Sequence, residues 1–95
     1  MTARFTLPSL AELEAILYYL DYLATRSPQG AASVQARIRS YVDLLPSYPL
    51  IGTRTDDPEI RRLIVRPYPY FVLYEPGDGE ITIHSVQHAA HKSSI

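Results

Sequence analysis

The chain has no cysteine and no tryptophan, only one lysine (Lys92), and four glycines in 95 residues. Each shortage removes a class of chemistry. Without cysteine there is no disulfide, no thiol nucleophile and no cysteine-based zinc site, a composition compatible with a reducing cytosol. The formal net charge of −1 argues against a protein that coats nucleic acid by bulk attraction, although it leaves room for a basic patch on one face. No run approaches the ~18 consecutive apolar residues of a membrane span, and no basic segment followed by an apolar run opens the chain. The expectation is a soluble, cytoplasmic protein without a membrane partner. Neither a glycine-rich phosphate loop nor an internal repeat is present.

What is there is enough for a small core. At 46% hydrophobic and 20% charged the composition is globular, and 95 residues make a single domain spanning 1–95. A chain of this size buries somewhat over ~60% of the surface it exposes when unfolded, so it folds alone with little margin. Eight tyrosines stand out. A tyrosine buries a large ring while keeping its hydroxyl wet, which suits the edge of a small core and also an interface.

Patterning divides the chain into a helical half and a strand half. Arg4-Phe5-Thr6-Leu7 alternates weakly as a short first strand ending at Pro8. Ser9-Leu10-Ala11-Glu12 has the form of a capping box, and Leu13, Ile16, Leu17, Leu20, Leu23 and Ala24 follow at helical spacing. The first helix is predicted from about Leu10 to Thr25, with Tyr18, Tyr19 and Tyr22 widening its apolar stripe. Ser27-Pro28 restarts the chain as an N-cap and first helical residue. Ala31, Val34, Ile38, Tyr41 and Leu45 then mark one face of a second helix, which Pro46 ends. So short a connection makes the two helices an antiparallel hairpin. Two prolines, a glycine and the pair Asp56-Asp57 make Ser47 to Glu59 a loop. The aspartates read as a solvated turn, since no third metal ligand stands at a recognisable spacing.

Three strands follow: Ile60 to Arg66, Tyr68 or Tyr70 to Glu75, and Glu80 to His88. Pro67 and Pro69 cannot donate ladder hydrogen bonds and should flank a turn, while Pro76-Gly77-Asp78-Gly79 suits a tight hairpin. The fold class is therefore α+β: a short N-terminal strand, an antiparallel helical hairpin, then a three-stranded antiparallel sheet. Period-two geometry puts Arg62, Ile64 and Arg66 on one face and Arg61, Leu63 and Val65 on the other. In the last strand it separates Thr82, His84, Val86 and His88 from Ile81, Ile83, Ser85 and Gln87. Alternation alone does not say which face the helices cover.

Two groups of side chains carry chemistry. Arg61, Arg62 and Arg66 lie close enough to make a local anion site, because guanidinium forks bind carboxylate or phosphate bidentately. The plainer reading is exposed strand charge that keeps a sheet soluble. His84, His88 and His91 with Lys92 form the second group. Histidine moves protons or binds metal near neutral pH, and acid–base work on RNA would need such a group beside the 2′-hydroxyl with a cation at the phosphate. No acidic third ligand accompanies them, so neither a metal nor a cofactor is expected. Glu12 and Glu14 sit in the first turn of a helix, where they complement its dipole.

In its order of elements and its motifs the chain resembles the RelE/ParE superfamily of bacterial type II toxins (β-α-α-β-β-β), and within it the ParE-like branch. The resemblance covers nearly the full length. It rests on Tyr48-Pro49-Leu50-Ile51-Gly52, similar to that family's Pro-x-x-Gly after the hairpin, and on Ile60 to Val65 and Tyr70 to Tyr74. Ile81 to Ala90 is similar to its closing Ile-x-x-Val-x-His-Gly-Ala-Arg. The resemblance implies a toxin that arrests growth, is encoded beside a cognate antitoxin and is neutralised by it in a hetero-oligomer. ParE-like members poison DNA gyrase, and RelE-like members are ribosome-dependent endoribonucleases that cut messenger RNA. The nucleases use an arginine on the middle strand and Tyr, His or Arg at the extreme C-terminus. Here Tyr70 and Phe71 occupy the first region and Ala89-Ala90 the second, which departs from the nuclease pattern. His91 stands where the family has arginine.

The resemblance thus implies gyrase inhibition by binding, with no catalytic residue, and RNA cleavage as the alternative. The expected contacts to target or antitoxin are Arg61, Arg62, Arg66, Tyr70, His88, His91 and Lys92. No direct sequence-specific nucleic-acid binding is expected.

Overall fold

The three strands read from the last third of the chain form the middle of a larger sheet. In a computed structural model, which describes residues 2–23 and 30–89, they are β3 (Arg61–Val65), β4 (Tyr70–Pro76) and β5 (Glu80–His88). Two further strands flank them, β1 (Thr2–Phe5) and β2 (Thr53–Arg54), and the helices are α1 (Leu7–Leu23) and α2 (Gly30–Leu44). The sheet order is β1-β5-β4-β3-β2. β1 runs parallel to β5 with Arg4 opposite Thr82, and the other pairs are antiparallel. The expected N-terminal strand joins the three antiparallel ones, at Thr2–Phe5 and not Arg4 to Leu7, because Leu7 already opens α1. The fifth strand lies inside the segment read as loop: Thr53 pairs with Arg62 and Arg54 with Arg61, before the Asp-Asp-Pro turn ends the ladder.

Both helices cover one face, α1 lying over β5 and α2 against β3. Leu63, Val65, Tyr70, Val72, Tyr74, Ile81, Ile83 and Val86 point into this layer and meet Val34, Ile38, Val42 and Leu45. Burying each such aliphatic side chain is worth roughly 1.5–3 kcal/mol, which makes this layer the main source of stability. Leu13, Ile16 and Leu20 of α1 pack at its margin. Tyr18, Tyr19 and Tyr22 do not; they remain largely exposed, as does Leu7.

α1 begins earlier than the Ser9 capping box implies. Thr6 is its N-cap: the Thr6 hydroxyl accepts the Ser9 N–H at 3.2 Å, and the Leu10 N–H reaches the Thr6 carbonyl at 3.0 Å. Ser9 is buried inside the first turn and donates its own hydroxyl to the Thr6 carbonyl. Pro8 fits there because first-turn amides need no intrahelical partner. Glu12, released from capping, reaches β5 instead. One of its carboxylate oxygens accepts the Val86 N–H and the Ser85 hydroxyl, each at 2.9 Å. Ser27, Pro28 and the predicted end of the first helix at Thr25 lie outside the described residues.

Face assignment along β5 departs from simple alternation. Leu73 pairs with Ser85 but Tyr74 pairs with Ile83, so His84 is an extra residue in a β-bulge. Ile81 and Ile83 face the helices on one side of it, and Val86 and His88 do so on the other. The bulge thus separates His84 from Val86 and His88, which strict period two had placed together.

Candidate functional site

The sheet face away from the helices is the open surface of the molecule. Its floor comes from residues that alternate with the core set: register puts Arg62 opposite Leu73, Ile64 opposite Phe71, and Phe71 opposite Gln87. One rim is the segment that carries β2, and its placement is the work of three residues. Tyr74, fully buried, donates its hydroxyl to the Pro49 carbonyl at 2.7 Å and accepts the Gly52 N–H at 2.9 Å. Arg61 donates from one guanidinium nitrogen to the Gly52 carbonyl at 2.7 Å and the Leu50 carbonyl at 3.2 Å. Gly52 has no room for a side chain, since a Cβ would stand 2.8 Å from the Arg62 carbonyl oxygen and 2.8 Å from the Tyr74 ring. Burial raises the Tyr74 phenol above its ordinary value, against the Gly52 N–H and the Arg61 charge, which pull it down. The Pro49-Leu50-Ile51-Gly52 motif is therefore a structural latch.

The segment that follows the latch forms one side of a shallow groove of about 430 Å³, lined by Arg54, Asp56, Arg62, Phe71, Leu73 and Gln87 together with Thr55. The Arg62 guanidinium carbon lies 5.7 Å from the centre of the Phe71 ring, a cation–π contact. Stacking occupies the face of the guanidinium and leaves its N–H edges for a ligand. Gln87 is oriented by donating its amide N–H to the Ser85 hydroxyl at 2.8 Å, which leaves its carbonyl as an acceptor. Among the described residues Arg54, Arg62 and Arg66 make no ion pair; the two that exist are Arg4 with Glu80 and His84 with Glu75.

The expected contact residues are therefore dispersed. Arg62 is on the groove and Arg66 is exposed in the turn that follows β3, beside the cis Arg66–Pro67 bond. Arg61, half-buried, is turned inward to the latch carbonyls. Tyr70 is buried on the helix side, where burial first and Tyr19 second raise its phenol. His88 stands edge-on to it with ring centres 5.1 Å apart, so it too belongs to the helix side. His91 and Lys92 lie outside the described residues. Phe71, Leu73, Gln87 and Arg54 were missed as site residues. The register across three strands brings them together, and only the alternation of Arg62 with Leu63 hinted at it.

No helix among the described residues is long and apolar enough to cross a membrane, and no group of three potential metal ligands occurs among them.

Known proteins share this fold. Residues 3–92 match the family model described as the ParE toxin of the type II toxin-antitoxin system parDE. A relative from Sinorhizobium fredii, "Putative toxin Y4kP", is 34% identical over 86 residues, covering 90% of this chain and 85% of its own. The solved structure "Chromosomal ParDE TA system from P. aeruginosa" superposes with a TM-score of 0.79 at 22% identity, over 93% of this chain and 95% of that one, and so shares the fold. With nearly its whole length matched, the chain belongs to the ParE toxin family of type II toxin–antitoxin systems.

Proposed function

We propose that this toxin arrests growth by docking on DNA gyrase in the cytoplasm through the open face of its sheet, and that it acts by binding and not by its own catalysis. The observation that carries this reading is the composition of the groove. Two guanidiniums, a phenyl ring, a leucine and an oriented amide make a recognition surface. The two histidines among the described residues are engaged elsewhere: His84 is held by Glu75 at 2.9 Å, and His88 packs on Tyr70. Contacts fall to Arg62 and Arg66, with Arg54 and Phe71 beside Arg62; His91 and Lys92 stay in the proposed contact set on their sequence alone.

The cognate antitoxin that the family implies has a second surface available. Leu7, Tyr18 and Tyr22 recur along the outer side of α1 and are each at least 70% exposed, a large apolar area for a lone helix. The charged residues of α1 are Glu12, Glu14 and Asp21. An antitoxin segment lying there is therefore apolar, and its acidic side chains belong opposite the arginines of the sheet.

Supercoiling by purified gyrase, with and without saturating toxin, tests the target. Inhibition or trapped cleaved DNA is the expected result. Undisturbed supercoiling, or cleavage of message in a translating extract, would replace this reading with the ribonuclease one.

A further inference from the structure

The chemistry of the groove on the open face selects among anions. Arg62 offers the edge of a guanidinium whose face already rests on Phe71, a geometry that receives a planar two-oxygen acceptor. Phosphate and carboxylate both satisfy a fork, but the surroundings separate them. Asp56 lines the same groove, so a free phosphate or phosphomonoester carrying nearly two charges meets a fixed negative group that a singly charged carboxylate meets more weakly. Phe71 is almost fully buried, and with Leu73 it makes an apolar floor directly beside the fork. A nucleotide would need an open ring to stack its base on, and Phe71 is 8% exposed with Arg62 already over it, whereas an aliphatic peptide side chain needs only the shallow apolar floor. The Gln87 carbonyl, left open by the Ser85 bond, accepts a backbone N–H. Scarcity of lysine and the net charge of −1 remove the diffuse attraction on which nucleic-acid binding depends.

We infer that this groove is a docking site for an acidic peptide segment of a protein partner, in which a Glu or Asp carboxylate bridges to Arg62 while an adjacent aliphatic side chain lies on Phe71 and Leu73. Arg54 at the rim supplies attraction for a second acid. The inference rests on the open face being the binding surface, and it stands whichever protein supplies the segment.

The test uses the isotope-labelled full-length toxin and blocked peptides. Ac-Leu-Glu-Leu-Glu-Leu-amide is titrated while the Arg62 side-chain Nε–H and the Phe71, Leu73 and Gln87 amides are followed by NMR. One Arg–carboxylate fork with one covered leucine gives a dissociation constant on the order of a millimolar, within reach of the method. The expected result is a saturable shift at these four groups. It should be lost with Ac-Leu-Gln-Leu-Gln-Leu-amide and weaken about tenfold with Arg62→Gln, while Arg37→Gln on the exposed side of α2 leaves it unchanged. The peptide exchange needs no protein variant, so the result does not hang on the folding of R62Q. A groove that does not respond, that responds equally to the glutamine peptide, or that binds inorganic phosphate or a uridine oligonucleotide as tightly overturns the inference. The gyrase reading is judged separately. Peptide capture with intact supercoiling discards gyrase and keeps this site, and gyrase inhibition without peptide capture does the reverse.

Discussion

Arg61 and Arg62 are neighbours in the chain and opposites in the fold. Arg61 turns toward the helix side, where the latch segment takes its hydrogen bonds at two carbonyls. Arg62 turns to the open face, stacks on Phe71 and makes no ion pair among the described residues. The first belongs to a region in which nearly every polar group is satisfied; the second belongs to a region whose donors await a partner. The difference teaches that a run of arginines on a strand is two populations. One builds the site and the other uses it.

Substitutions that separate the two populations range from severe to almost silent. Gly52→Ala has the largest expected effect, because its methyl would press on the Arg62 carbonyl oxygen and the buried Tyr74 ring. A loss of about 3 kcal/mol is expected in denaturant unfolding. Unfolding at the wild-type midpoint would mean that the latch is loose. Tyr74→Phe comes next, since it strips the Gly52 N–H and the Pro49 carbonyl of their partner and should cost about 2 kcal/mol.

Tyr74 also gives the comparison a pH axis. Its folded value lies above the ordinary 10.0, so the folded protein keeps a proton that the unfolded chain releases. Its contribution is complete below pH 10 and declines as pH rises from there through the folded value. Melting temperatures should therefore fall above pH 10 in the wild type, and fall less steeply in Tyr74→Phe. Equal slopes would show that the hydroxyl is solvated. Arg61→Met ranks below these, at about 1 kcal/mol, because its site is only half-buried. Arg62→Gln closes the series with a change within about 0.5 kcal/mol, its effect being reserved for binding. A large loss of stability in R62Q would erase the distinction between the two arginines.

Much of this architecture was legible in the residues. The helical spacing of Val34 and Ile38 and the alternation around Leu63 and Val65 are local signals, and both elements stand where those periods put them. The rest depended on contacts that no short window contains. Ser9 with Glu12 reads as a capping box, but Thr6 is the cap, and Glu12 reaches Ser85 and Val86 instead. β2 is two residues long and exists because Gly52 is held by Tyr74, distant in sequence. The bulge at His84 reverses the facing of half a strand without any glycine or proline to announce it. Alternation alone does not say which face the helices cover, so the helix-side orientation of Tyr70 and Arg61 is not legible in the sequence. Phe71, Leu73 and Gln87 became site residues once register set them around Arg62.

The division of labour between adjacent arginines is most directly tested by gyrase supercoiling titrated with wild-type toxin, R62Q and R61M, each at a temperature well below its own Tm. R62Q should require about tenfold more protein for half-inhibition while R61M stays within about twofold of wild type. R62Q inhibiting like the wild type while folded R61M loses its potency would contradict that division of labour.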